Sequence, residues 1–121
     1  DAAAAHMRLA AQGLERGNLL VASRATPQGL LQWRITVRPD GQRLMDGCLP
    51  TLIEWGDHHP CDTLPASGVT LQALALQHPN AAVLGAACQA LGLGKVAVQS
   101  APQVRITATL TTPRGPLTLL S

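Results

Sequence analysis

The sequence predicts an α+β fold in which two halves repeat one order of elements. Residues 30–38 and 103–111 alternate apolar and polar side chains as half-buried strands do. Residues 2–16 and 79–91 instead carry apolar residues at helical spacing. The tripeptide Arg34-Ile35-Thr36 recurs as Arg105-Ile106-Thr107, at the same place in the same kind of strand. The halves follow the orders α-β-β-β and β-α-β-β-β, an internal duplication whose first unit lacks its opening strand. The expected organisation is an incomplete αβββ unit over residues 1–56, a linker loop over 57–68 and a βαβββ unit over 69–121. At 121 residues these together suit one compact domain.

Each element has a local reason. Residues 2–16 open with alanines, the best helix formers, and place Met7, Ala10, Ala11 and Leu14 at helical spacing. Asp1 is the expected N-cap; Gly13 weakens the last turn and Gly17 is the expected stop. Leu19-Leu20-Val21 begins a short strand, and Thr26-Pro27-Gln28-Gly29 turns it into the next. In that next strand Leu31, Trp33, Ile35 and Val37 share one face, and Pro39-Asp40-Gly41 ends it. Residues 49–55 read as a strand with Ile53 and Trp55 opposite Leu52 and Glu54; a polar loop follows to Gly68. The second half reads as a strand over 69–77, then a helix over 79–91 with Pro79 in its first turn and Gly92 at its end. Short strands over 95–99 and 103–111 and a Pro113-Arg114-Gly115 turn lead into a last strand over 116–120.

Composition narrows the function classes. Hydrophobic residues make up 46% of the chain, enough for a buried core. There is no Phe and no Tyr, so Trp33 and Trp55 are the only aromatic residues. The net charge is only +2, and the basic residues are scattered without an aromatic platform, which argues against nucleic acid. No apolar run approaches the roughly 20 residues that span a bilayer. The first residues lack the basic and apolar regions of a signal peptide, and an opening Asp in place of Met points to a missing start. Three irregularly spaced cysteines, Cys48, Cys61 and Cys88, fit neither a disulfide framework nor a CxxC zinc site and imply reduced thiols in the cytoplasm.

Three segments carry a family resemblance. Pro50-Thr51-Leu52-Ile53-Glu54-Trp55-Gly56-Asp57, with its His/Pro loop, resembles the P-F-L-I-x-W-G strand of the glyoxalase-like domain family. That family belongs to the vicinal oxygen chelate superfamily. Residues 30–37 resemble the strand two positions earlier, and Leu110-Thr111-Thr112-Pro113-Arg114-Gly115 the closing hairpin. The likeness runs over nearly the whole chain. It implies βαβββ units whose mixed sheet curls around a cavity, with helices on the outer face. It also implies that this chain is a C-terminal portion beginning inside a helix. In metal-dependent members of the superfamily, His, Glu or Gln side chains hold a divalent metal that chelates two neighbouring substrate oxygens. Activity of that type would be a metal-dependent lyase, isomerase or dioxygenase reaction on a small oxygenated molecule. The alternatives are a metal-free small-ligand binding module and a non-catalytic structural or assembly fragment.

The resemblance makes Glu54 the candidate catalytic residue and the only metal-ligand candidate. If Ile53 and Trp55 pack under the helices, Glu54 faces the cavity; otherwise it is an acid paired with a base such as Arg34. No complete metal set is expected in this chain, because the final strand, Leu117 to Leu120, has no carboxylate. No cofactor is therefore expected here, although a full-length protein has room for a divalent metal. Arg34 and Arg105, on the polar sides of their strands, and Gln72 are the substrate-binding candidates; the two arginines fit the solvated face of an antiparallel sheet equally well. The loop Asp57-His58-His59-Pro60-Cys61-Asp62 offers zinc ligands or a thiolate nucleophile, set against an ordinary polar surface loop. His6 and His78 are expected at the surface, and Cys88 in the core. A missing opening strand leaves one sheet edge unpaired, so a homodimer is the expected assembly, with a small molecule as the other partner.

Overall fold

The computed structural model describes all 121 residues, which form two compact units. The first holds residues 1–42 and 50–65; the second holds residues 43–49 and 66–121. The fold is α+β, with two helices and seven strands in two sheets, neither of which closes into a barrel. No helix is long and apolar enough to cross a membrane.

In the first unit, helix α1 spans Ala2–Ala10 and is capped by Asp1, whose carboxylate accepts from the amides of Ala3 and Ala4 at 2.8 and 3.2 Å. It ends well before residue 16. Gly13 takes a φ of 75°, and the Leu14 amide reaches back to the Leu9 carbonyl at 3.0 Å. This is a glycine C-terminal closure, so Leu14 belongs to the cap and not to the helix. Strands β1 (Asn18–Thr26) and β2 (Gly29–Val37) form a hairpin across Pro27-Gln28, in unbroken register from Thr26↔Gly29 to Asn18↔Val37. Strand β3 (Ile53–Trp55) pairs antiparallel with β2, setting Trp33 opposite Trp55 and Arg34 opposite Glu54. It is shorter than the predicted 49–55 because Pro50 has no amide to donate and Leu49 is buried in the second unit.

The second unit places β4 (Thr70–His78), α2 (Ala81–Ala90), β5 (Ala97–Ser100), β6 (Arg105–Thr112) and β7 (Gly115–Leu120) in sheet order β5-β4-β6-β7. Strands β4 and β5 run parallel, as a helical crossover requires, and the other pairs are antiparallel. Leu76, Leu84, Cys88 and Cys48 form the core, with Met45, Val96, Val98, Val104 and Ile106 packed against it. Residues 44–47 form a 3-10 turn that residue patterning does not announce; Met45 and Asp46 both sit at left-handed φ, 52° and 54°. Burial of Cys48 and Leu49 immediately after the turn offsets that strain.

One histidine departs from expectation. His78 is not a surface residue but only 7% exposed. Strand β4 is paired on both sides at its C-terminal end, and residues 43–49 supply a partner: His78 Nε2 lies 3.1 Å from Asp46 Oδ2. Its Nδ1 accepts the Asn80 amide at 2.9 Å, which places the hydrogen of the neutral ring on Nε2.

The two units have the element orders αβββ and βαβββ, but their sheets are wired differently. Strand β1 lies directly beside β2, whereas β4 separates β5 from β6. The shared tripeptide also sits in opposite phase. In β2, Arg34 and Thr36 share the α1 side; in β6, Ile106 packs under α2 while Arg105 is exposed. A shift of one residue exchanges the faces of a strand. Trp33 and Val104, the residues just before the tripeptide in each strand, therefore differ: Val104 packs at the α2 core and Trp33 turns away from α1.

Candidate functional site

Glu54 is fully engaged. Its Oε1 accepts from Arg34 Nη2 at 2.5 Å and its Oε2 from the Ala2 amide at 2.5 Å, at the N-terminus of α1. The carboxylate therefore lies on the helix side of the first sheet, and its neighbour Trp55 on the other. The Arg34 guanidinium, and after it the Ala2 amide, hold the Glu54 carboxyl below the usual carboxylate range. Because the folded pKa is below the unfolded one, the pair stabilises the fold at neutral pH, and that stability is lost as pH falls through the folded value. Asp40, held down by Arg38, acts in the same direction. Glu54→Gln is expected to flatten the acid limb of unfolding followed by tryptophan fluorescence. An unchanged limb would assign the acid sensitivity to Asp40 and other carboxylates.

The opposite face of the same sheet is aromatic and apolar. Trp33 and Trp55, facing each other across β2 and β3, have ring centroids 5.4 Å apart at a 50° tilt. The His59 ring meets Trp55 edge-on, with centroids 5.6 Å apart. Alternation along the hairpin puts Leu31, Ala22 and Arg24 on this tryptophan face. At its hairpin end lies a cleft of about 220 Å³, walled by Arg24, Leu31 and Thr26 on the strands and by His58, His59 and Leu64 on the loop.

The loop is built to present His59. A 3-10 turn over Pro60–Thr63 is capped by this residue: its Nδ1 accepts the Cys61 amide at 3.1 Å, and its own amide donates to Asp62 Oδ2 at 3.0 Å. With Nδ1 occupied as an acceptor, the neutral ring carries its hydrogen on Nε2, a donor free for a ligand. The lining thus holds one guanidinium, two imidazoles and no carboxylate. Such a site can bind an anionic, oxygen-bearing small molecule.

The remaining candidates lie elsewhere. Gln72 is exposed at the irregularity in β4 and donates to Thr70 Oγ1 at 2.9 Å. Arg105 opens β6 opposite Gln77, roughly 16 Å along the strand from Gln72 at the usual rise per residue. The two are not brought together, and Arg34 is committed to Glu54. Cys88 is buried, Cys61 exposed, and all three cysteines are free. Arg24 is the residue that sequence reasoning missed. The signal was present in the hairpin turn: counting back from Thr26↔Gly29 puts Arg24 opposite Leu31 on the tryptophan face.

Residues 1–92 match the family model described as the glyoxalase-like domain. The chain belongs to the glyoxalase-like domain family. The matched stretch includes the whole first sheet, the histidine loop, β4 and α2. Strands β5 to β7, with the closing hairpin, lie beyond it. No curated protein and no solved structure matches the chain. Within this glyoxalase-like domain, the matched residues contain both sides of the first sheet: the Glu54–Arg34 pair against α1, and the cleft beside the two tryptophans.

Proposed function

We propose that this glyoxalase-like domain binds a small oxygenated anion in the cleft on the tryptophan face, without a metal. The observation that carries the reading is the acid-free lining in which Arg24 and His58 and His59 meet beside Trp55. Arg24 supplies a planar pair of donors for a carboxylate, His59 Nε2–H supplies another, and Leu31 and Leu64 offer apolar contact to the ligand's carbon side. The tryptophan face is then the concave side of the sheet and α1 lies outside it, as the family resemblance implies.

The divalent metal of the superfamily does not fit Glu54 as it stands. Both carboxylate oxygens are held by donors, Arg34 and the Ala2 amide, and a cation would have to displace a guanidinium to reach them. A lyase, isomerase or dioxygenase step through that residue has no support from this geometry.

The two tryptophans make the reading easy to test, since no tyrosine contributes to the fluorescence. Titration with glycolate and pyruvate, one hydroxy and one oxo carboxylate, is expected to change the emission saturably through the His59–Trp55 contact. Arg24→Ala is expected to weaken binding roughly tenfold or more, the usual cost of losing a charge-assisted hydrogen bond. Equal affinities in the two proteins would remove Arg24 from the site.

A further inference from the structure

The first unit contains a second cationic centre, unrelated to the cleft. Arg16, on the connection from α1 to β1, is only 5% exposed. Its Nη2 donates to Thr51 Oγ1 at 2.8 Å, while its Nε is buried without a partner. No carboxylate lies within ion-pair distance of it. The neighbouring charge is Arg38, which makes the environment still more positive and whose own guanidinium is already used. Arg38 grips Asp40 through Nε and Nη2 and donates from Nη1 to the Glu15 carbonyl at 2.6 Å. Burial and Arg38 together disfavour the charged form of Arg16. A guanidinium nevertheless stays protonated in proteins, so the charge is there without a counter-ion. Buried charges are ordinarily paired, and a buried donor left unmade is costly.

We infer that Arg16 and Thr51 form a binding site for a small oxyanion, a carboxylate or a phosphate-like group, that supplies the missing counter-ion. The guanidinium offers a rigid planar fork suited to two oxygens of such a group. Thr51 is exposed, so the anion has an approach from the Thr51 side, and its hydroxyl, accepting from Arg16, has its own hydrogen free to donate. Asp40 does not fill the role, because both of its oxygens are held by Arg38.

The test is binding of inorganic phosphate, and separately of acetate, to the whole chain by calorimetry and thermal unfolding, against sodium chloride at equal ionic strength. At least one of the two is expected to bind and raise the unfolding midpoint above the chloride control. The stronger of the two identifies whether a tetrahedral or a planar oxyanion is preferred. Arg16→Met is expected to abolish the response, and Thr51→Val, at an exposed position, to weaken binding roughly tenfold, the usual worth of one such hydrogen bond. All of these variants are made in an Arg24→Ala background, so that a carboxylate bound in the cleft does not contribute to the response. No response beyond chloride, or an undiminished response in Thr51→Val, would overturn the assignment. The valine variant keeps the test decisive if Arg16→Met does not fold.

Discussion

Gly17→Ala is expected to be among the most damaging single changes in the first unit. Gly17 sits at a φ of 80° where α1 hands over to β1, against the end of β2. A Cβ placed there would lie 2.2 Å from the Val37 carbonyl oxygen and 2.6 Å from Arg38 Cα. Those are backbone atoms, so no side chain can swing aside. The left-handed conformation and the forced backbone shift together should cost about 3 to 5 kcal/mol. The register Asn18↔Val37 is the first pairing to be lost, and with it the alternation that sets Arg24 beside Leu31. Both tryptophans lie in this unit, so denaturation followed by their fluorescence reports it directly. Gly13→Ala is the control. Its φ is 75°, but no atom lies within 4 Å of the added carbon. It should cost only about 1 to 2 kcal/mol, the conformational part alone. Equal effects at the two glycines would contradict the close approach at Val37.

Leu84→Ala should be comparably severe in the second unit. Leu84 is 0% exposed and packs with Leu76, Cys88 and Cys48. In a chain without Phe or Tyr, it is one of the two largest fully buried side chains. The lost burial and the cavity left behind should cost about 3 kcal/mol. Leu84→Met, which nearly conserves volume, should cost less than about 1.5 kcal/mol. This unit contains no tryptophan, so far-UV circular dichroism, to which α2 and four strands contribute beside the elements of the first unit, is compared with the tryptophan signal of the first unit. Indistinguishable midpoints for Ala and Met would mean that the α2–β4 core carries little of the stability.

The strands were legible because their signals are local. Alternation from Leu31 to Val37, and the turn at Pro27-Gln28, define the first hairpin within the sequence itself. What was not legible depends on contacts distant in sequence. Nothing in Leu49-Pro50 announces that the chain leaves one unit for the other between residues 43 and 50. Nor does His78 announce a partner 32 positions earlier, at Asp46. The side of the sheet that α1 covers is equally non-local. The strand pattern separates Glu54 from Trp55, and only the Ala2 amide on Glu54 shows which of them meets the helix. Glu54 was therefore the natural candidate by position, while Arg24, one hairpin away on the tryptophan face, needed the register to be found. The tripeptide shared by β2 and β6 shows the same limit, because identical residues in strands of opposite phase face different surroundings.

The most direct test of where the glyoxalase-like domain binds its ligand compares the two faces of the first sheet in one experiment. In a proton–nitrogen correlation spectrum the two indole N–H groups mark the tryptophan face, and the Ala2 amide, bonded to Glu54 Oε2, marks the other. Titration with glycolate or pyruvate is predicted to move the Trp55 indole signal saturably and to leave the Ala2 amide in place. A saturable shift of the Ala2 amide with unmoved indoles would put the ligand at Glu54 and contradict the assignment of the cleft.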